Sequence, residues 1–233
     1  RALARELGAD LTIVVPRSYR LPCGEATLFN APISGRSRVA RIAWEQLQLP
    51  RAARAQHADL LHAPAYVMPL RWRGPAVVTV YDLLTLTHPE WCRRGNVAHF
   101  RLTLPRTLRR AERIVVPSHS AAEEILAHTD TDPAKLRELP LGVEECFQPA
   151  SPEDLAELRQ RWGLPERYLL LVGNLEPKKN VLGMIRLFAR LAQDFPHSLV
   201  IAGREGWGDS RAWRRAVEEL PPARVNLLGY VPR

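Results

Sequence analysis

The sequence predicts a layered α/β protein with parallel sheets, divided into two domains. Three observations lead there. Short apolar runs alternate with helix-period segments along the chain, the pattern of a parallel α/β protein. The last three such runs each close on a glycine: Gly173, Gly203 and Gly229. Between 148 and 168 the texture shifts to "QPASPEDLAELRQRWGLPERY", a charged, proline-bearing stretch with linker character.

In chain order, "RALARELGA" (1–9) reads as the interior of a helix, so the chain is expected to be cut from a longer protein. "DLTIVV" (10–15) and "DLLHA" (59–63) are expected strands, and valine-rich "AVVTVYD" (76–82) is the clearest early one. "RLTLPRTLRRAE" (101–112) is a basic helical stretch expected to bend or restart at Pro105. "RIVVP" (113–117) returns to strand and is followed by "SHSAAEEIL", where Ser118 or Ser120 can cap a helix. "KLRELPLGV" (135–143) reads as a last short strand of this half. In the linker, Ser151 is the expected N-cap of a helix, with Pro152 at its first position and Asp154 at the capping-box position.

The second half repeats the pattern. Strand "YLLLVG" (168–173) leads to a helix over 181–195, whose apolar face is Leu182, Ile185, Phe188, Leu191 and Ala192. Strand "SLVIAG" (198–203) precedes a helix over 211–220 that buries Trp213, Ala216, Val217 and Leu220, and "RVNLLG" (224–229) is the closing strand. The expected organisation is a domain over 1–150, a linker over 151–167 and a second domain over 168–233. Three parallel strands are half of a doubly wound sheet, so the second domain is expected to be incomplete, with an open edge.

Composition narrows the function classes. Of 233 residues, 46% are hydrophobic and 25% charged, which is ordinary for a soluble globular protein. No apolar run approaches the roughly 18 residues needed to cross a bilayer. Cys23, Cys92 and Cys146 are scattered without C-x-x-C spacing, which favours a reducing cytoplasm over disulfides, and no histidine pair has metal-site spacing, so no metal and no cofactor is expected. The net charge of +8 suggests phosphate-bearing partners or an anionic membrane surface. Nucleic acid is a minor alternative and is not the expected partner.

The chemistry concentrates where the strands end. In open α/β sheets ligands bind at the carboxyl ends of the strands, so the loops after 173, 203 and 229 are expected to face one crevice. Lys178 and Lys179 sit in the first of these loops, and Asn180 can cap the helix that follows. Cations beside a helix N-terminus are repelled by the helix dipole, and an anion would reconcile lysines and free N–H groups together. Ordinary solvated loop lysines are the competing reading. Neither G-x-G-x-x-G nor G-x-x-x-x-G-K-[ST] occurs, which counts against dinucleotide dehydrogenases and P-loop ATPases.

"VGNLEPKKN", then "LVIAGREGWG", then "NLLGYVP" resemble the nucleotide-binding domain of retaining GT-B glycosyltransferases of the glycosyltransferase-four family. "DLLHAPAYVMPL", "VVTVYDLLTLTHPEW", "RIVVPSHSAAEEI" and "LPLGVEECFQP" follow the family's order in the first half. The resemblance implies two Rossmann-like domains with a nucleoside diphosphate sugar, GDP-mannose or a UDP-hexose, bound between them. Lys178 and Lys179 match a cation pair that holds the donor diphosphate, with Gly173 beside them. The family usually has arginine at the first position, so a bidentate contact becomes a point charge. Gly229, Tyr230 and Val231 match the loop lining the nucleobase, and Gly203 lies in the neighbouring loop.

Tyr81 stands where the family commonly has histidine, and Asp82 keeps the adjoining acid, so these two are the expected catalytic positions. Strand-end packing is the alternative for Tyr81, and a turn cap the alternative for Asp82. Ser118 is a helix cap at the crevice end, and His88 is expected to be structural. Two further family features, a glycine-rich loop and a pair of glutamates, would lie outside residues 1–233, so little turnover is expected of these residues alone. The implied reaction is transfer of a mannose- or glucose-type hexose to a polysaccharide or lipid-linked acceptor on the cytoplasmic side, with peripheral contact to an anionic membrane. Arg101, Arg106, Arg109, Arg110 and Arg113 are the candidates for that contact, and a solvated helix face explains the same residues. The alternatives are a non-catalytic nucleotide-binding module of the same fold and another GT-B enzyme such as a nucleotide-sugar epimerase.

Overall fold

A computed structural model describes residues 10–17, 26–33 and 37–232. The helix expected over 1–9, as well as Cys23, lies outside the described residues. The chain divides into two compact units, one holding the described residues up to Leu83 together with Ala98–Pro140, the other holding Leu84–Val97 and everything from Leu141 onward. Every strand pairing among the described residues is parallel.

In the first unit, β1 (Thr12–Pro16) pairs with β2 (Thr27–Ala31). Helices α1 (Arg38–Leu47) and α2 (Leu49–Ala55) follow. The main sheet has the order β3 (Leu61–Ala63), β4 (Ala76–Thr79), β5 (Arg113–Val116), β6 (Leu136–Glu138). Between β4 and β5 the chain passes through the one-turn helix α3 (Leu84–Thr87) and the long α4 (Arg94–Arg110); α5 (His119–His128) lies between β5 and β6. Val78, Val80, Ile114 and Val116 from the sheet region are fully buried, as are Leu104 and Leu108 of α4 and Ile125 of α5. Alternation along β5 (exposed Arg113, buried Ile114, buried Val116) is the period-2 signature of a strand with covered apolar positions.

Helix α4 corrects one expectation. Of the bend or restart expected at Pro105, the restart does not occur: the helix is one element from Arg94 to Arg110. Proline removes one N–H donor, yet Thr103, Leu104, Thr107 and Leu108 are buried on either side of it. Packing of that face outweighs the missing hydrogen bond. The strand expected over 135–143 is limited to Leu136–Glu138; Leu139, Leu141 and Val143 beyond it are exposed.

In the second unit, α6 (Pro152–Trp162) precedes a three-stranded sheet of order β7 (Tyr168–Val172), β8 (Ser198–Ala202), β9 (Val225–Gly229). Helices α7 (Val181–Leu191) and α8 (Ser210–Glu218) are the crossovers. Ser151 does cap α6, accepting from the Asp154 N–H at 3.1 Å. The box closes differently from expectation: the Ser151 hydroxyl donates to Asp154 Oδ2 at 2.9 Å, an arrangement the short aspartate side chain permits. Gly163 ends the helix in the left-handed conformation.

The core of this unit is Leu171, Leu175, Val181, Ile185, Phe188, Leu199, Ile201, Trp213 and Leu220, with Leu182, Ala192, Ala216 and Val217 packed against it. Leu191, expected on the apolar face of α7, is instead 40% exposed at the last helical residue.

Candidate functional site

Gly173, Gly203 and Gly229 fall at the carboxyl ends of β7, β8 and β9, and their backbones knit the three ends together. Gly173 donates its N–H to Ala202 at 3.0 Å, and Gly203 donates to Gly229 at 2.7 Å. Gly173 and Gly229 hold φ values of +140° and +66°, where a side chain would be strained. Gly203 differs. A Cβ there would lie 1.8 Å from the Gly173 carbonyl oxygen, so the close backbone approach that this glycine permits includes that of the neighbouring strand.

Beyond the sheet the first two loops stay paired. Leu175 donates to the Arg204 carbonyl at 2.9 Å, Gly206 donates back to Leu175 at 3.2 Å, and Leu175 bridges Glu205 in parallel. The chain then makes a single 3-10 turn, Pro177–Lys179, closed by the Lys179 N–H on Glu176 O at 2.9 Å.

This turn separates the two lysines. Lys179 folds back so that its Cε lies 3.6 Å from where a Gly173 Cβ would be, over the end of β7. Lys178 pairs with Glu176, Nζ to Oε2, at 3.9 Å. That pair is half-exposed and weakly held, so it leaves Lys178 able to exchange partners.

Asn180 does not cap α7 with its side chain. It occupies the N-cap position in the left-handed conformation (φ 48°, ψ 41°), and its amide lies over Gly183, where no Cβ obstructs it. The first N–H groups of α7 therefore lack a side-chain cap beside Lys179, a local positive field from the helix end.

Tyr230 follows Gly229, and the guanidinium of Arg204 stacks on its ring at 4.0 Å. Val231 beside it is 37% exposed. Sequence reasoning passed over Arg204; its position directly after the strand-end glycine in "AGREGWG" was the available signal. Next to the turn, a cavity of about 280 Å³ is lined by Pro177, Val181, Trp207 and Trp213 with the carboxylates of Glu205 and Asp209. The Ser210 hydroxyl and then Arg214 hold the Glu205 carboxyl below its usual value.

In the first unit, Asp82 and Tyr81 lie just past β4, and Ser118 just past β5. Tyr66 donates its hydroxyl to Asp82 Oδ2 at 2.8 Å and meets the Tyr81 ring edge-on at 5.9 Å. Tyr66 holds φ at 65°, an unusual state for an aromatic residue. In the middle of β3, His62 Nε2 is 2.9 Å from Thr79 Oγ1, and burial lowers its imidazole below the ordinary value. Tyr66 and His62 were missed by sequence reasoning; only the tertiary contact identifies them.

Ser118 caps α5, its hydroxyl accepting from Ala121 N at 3.3 Å. Ser118→Ala should cost about 1 kcal/mol, read as a few degrees in melting temperature. His88 stacks on Trp91 at 4.1 Å and reaches Glu90 at 3.3 Å, a packing arrangement. Among the described residues no cluster of three or more His, Cys, Asp or Glu could hold a metal, and no helix is long and apolar enough to cross a membrane.

Residues 1–145 match the domain described as Glycosyltransferase Family 4. The chain belongs to Glycosyltransferase Family 4. A curated Escherichia coli relative, O-antigen chain mannosyltransferase B, is 26% identical to this family member over 176 residues, which are 74% of the chain and 46% of that relative. The chain thus spans less than half the length of that protein. Solved structures share the α/β GT-B fold. WaaG, a glycosyltransferase involved in lipopolysaccharide biosynthesis, aligns with a TM-score of 0.68 at 15% identity, covering 99% of this chain and 64% of WaaG. Anabaena HepE in complex with UDP-glucose aligns at 0.62 and 18% identity, covering 89% of this chain and 57% of its own.

Proposed function

We propose that this family member serves a retaining hexosyl transfer, moving a mannose- or glucose-type sugar from GDP-mannose or a UDP-hexose to a polysaccharide or lipid-linked acceptor at the cytoplasmic side. The observation that carries the reading is Lys179, folded over Gly173 at the mouth of β7 beside the uncapped N-terminus of α7. A donor diphosphate there meets one ammonium directly, a second from Lys178, and the helix N–H groups. These stabilise the charge that builds on the departing nucleoside diphosphate. Tyr230 and Val231, beside Gly203 and Gly229, serve the nucleobase end. Asp82, oriented by the Tyr66 hydroxyl, serves the sugar or acceptor hydroxyls. Mannosyl transfer is favoured by the mannosyltransferase name of the Escherichia coli relative. Peripheral contact with an anionic membrane through Arg101, Arg106, Arg109, Arg110 and Arg113, all exposed, belongs to the same proposal.

A second reading, a nucleotide-binding module without turnover, is favoured by Tyr81, whose ring packs against Tyr66 at the position where the family commonly has histidine.

Isothermal titration with GDP-mannose and UDP-glucose tests the proposal. One base class is expected to bind, with Lys179→Ala weakening it about tenfold or more, the loss expected for one charge-assisted contact. Lys178→Ala should weaken it less, since that ammonium is shared with Glu176. Equal and negligible effects of the two substitutions would sink the assignment. Binding without transfer by the longest natural form would favour the second reading.

A further inference from the structure

At the amino ends of β5 and β6, the opposite end of the sheet from Asp82 and Ser118, lies a cavity of about 450 Å³. Arg110, Arg113, Lys135 and Arg137 line it with Glu112 and Asp132. Elsewhere in the chain arginines meet carboxylates, as in Arg41–Glu45 and Arg211–Asp209. Among the described residues none of these four cations does. Main-chain carbonyls hold them instead. Lys135 Nζ donates to Arg109 O at 2.6 Å, Arg113 Nη1 to Glu112 O at 2.8 Å, and Arg137 Nη1 to Ala134 O at 3.0 Å and Leu136 O at 2.6 Å. Arg110 donates to the carbonyls of Leu70 and Trp72. Asp132 Oδ1 is engaged by the Ala134 N–H at 2.9 Å.

A carbonyl fixes a cation in place without cancelling its charge. Lys135 is explained by the C-terminus of α4, where the Arg109 carbonyl attracts it, and Arg110 by the Leu70 and Trp72 carbonyls that hold both its terminal nitrogens. Arg113 and Arg137 are not, because Arg113 is the first residue of β5 and Arg137 the middle residue of β6, and each donates to carbonyls only through Nη1, leaving Nε and Nη2 for a ligand. Two forked guanidiniums and an ammonium, held beside a cavity of this size, match the oxygens of a phosphate group.

We propose that this basin binds a phosphate-bearing anion, independently of the donor loops. The phosphate could come from a soluble compound or from a lipid headgroup.

The experiment titrates inorganic pyrophosphate into the Lys178→Ala/Lys179→Ala chain, in which the donor loop is silenced. Saturable binding is expected, weakened at least tenfold by adding Arg113→Gln/Arg137→Gln and less than twofold by adding Arg159→Gln/Arg161→Gln, which removes the same charge from α6. Arg137→Lys, which keeps the charge and loses the fork, should weaken binding severalfold without altering the unliganded melting temperature. Absence of saturation, or equal loss with both glutamine pairs, would overturn the proposal. Sedimentation with phosphatidylglycerol vesicles, lost in the basin pair alone, identifies the lipid source. Pyrophosphate binding without basin-dependent sedimentation identifies the soluble one. Because the titration lacks both donor lysines, its failure leaves the donor reading untouched, and the reverse holds too.

Discussion

Gly203→Ala is expected to destabilise the second unit by about 3 kcal/mol or more, well above an ordinary surface change. The added Cβ would lie 1.8 Å from the Gly173 carbonyl oxygen and 2.7 Å from its carbon. A flexible side chain could swing away from such a clash, but a backbone carbonyl at the junction of two paired strands cannot. Relief requires separating β7 from β8 at their carboxyl ends, which breaks the Gly173–Ala202 and Leu175–Arg204 hydrogen bonds. Urea unfolding followed by tryptophan fluorescence should register the loss, with nucleotide binding weakened in the same variant. A wild-type midpoint would show that the glycine is not needed there.

Phe188→Ala is expected to cost about 3–5 kcal/mol, the range for removing a buried aromatic ring. Phe188 is 1% exposed in the centre of α7, beside the fully buried Ile185 and within a core that includes Leu199 and Ile201. The guanidinium of Arg224 lies 5.7 Å from its ring while donating to the carbonyls of Ala192, Phe195 and His197. Removing the ring therefore opens a cavity and unsupports the clasp that ties the end of α7 to β9. Hydrogen exchange should rise throughout Val181–Leu191 and spread into Val225–Gly229. Phe188→Leu should recover much of the loss; if it costs as much as alanine, the aromatic contact rather than volume is what matters.

Much of this fold could be read from the sequence because its strands are short, valine- or leucine-rich and bounded by glycine, as in β4, β7 and β8. The readings that failed did so for local reasons. "TLFNA" was not recognised as β2 because asparagine interrupts its apolar run and leaves no valine- or leucine-rich core to it. Leu139, Leu141 and Val143 alternate like a strand yet are exposed, since hydropathy records what a residue prefers and not whether a partner strand is available. Pro105 predicts a bend or a restart, and tertiary packing overrides the restart. At the site, composition and spacing pointed to the loop bearing both lysines. They could not divide them, because the division depends on a 3-10 turn that sends Lys179 over Gly173 and leaves Lys178 with Glu176. Arg204, His62 and Tyr66 depend on contacts across elements and have no periodic signature.

The bridge between Leu175 and Glu205 carries the pairing of β7 and β8 past the end of the sheet. The loop with the lysines and the loop leading to Arg204 are thus tied to each other by backbone hydrogen bonds rather than standing as two separate flaps. If the proposed donor occupies these loops, a displacement of the lysine loop is expected to reach Arg204 through Leu175, and with it the Tyr230 ring that Arg204 covers. A nucleotide with the wrong base would then weaken its own phosphate contacts, so that discrimination at one end of the molecule is felt at the other.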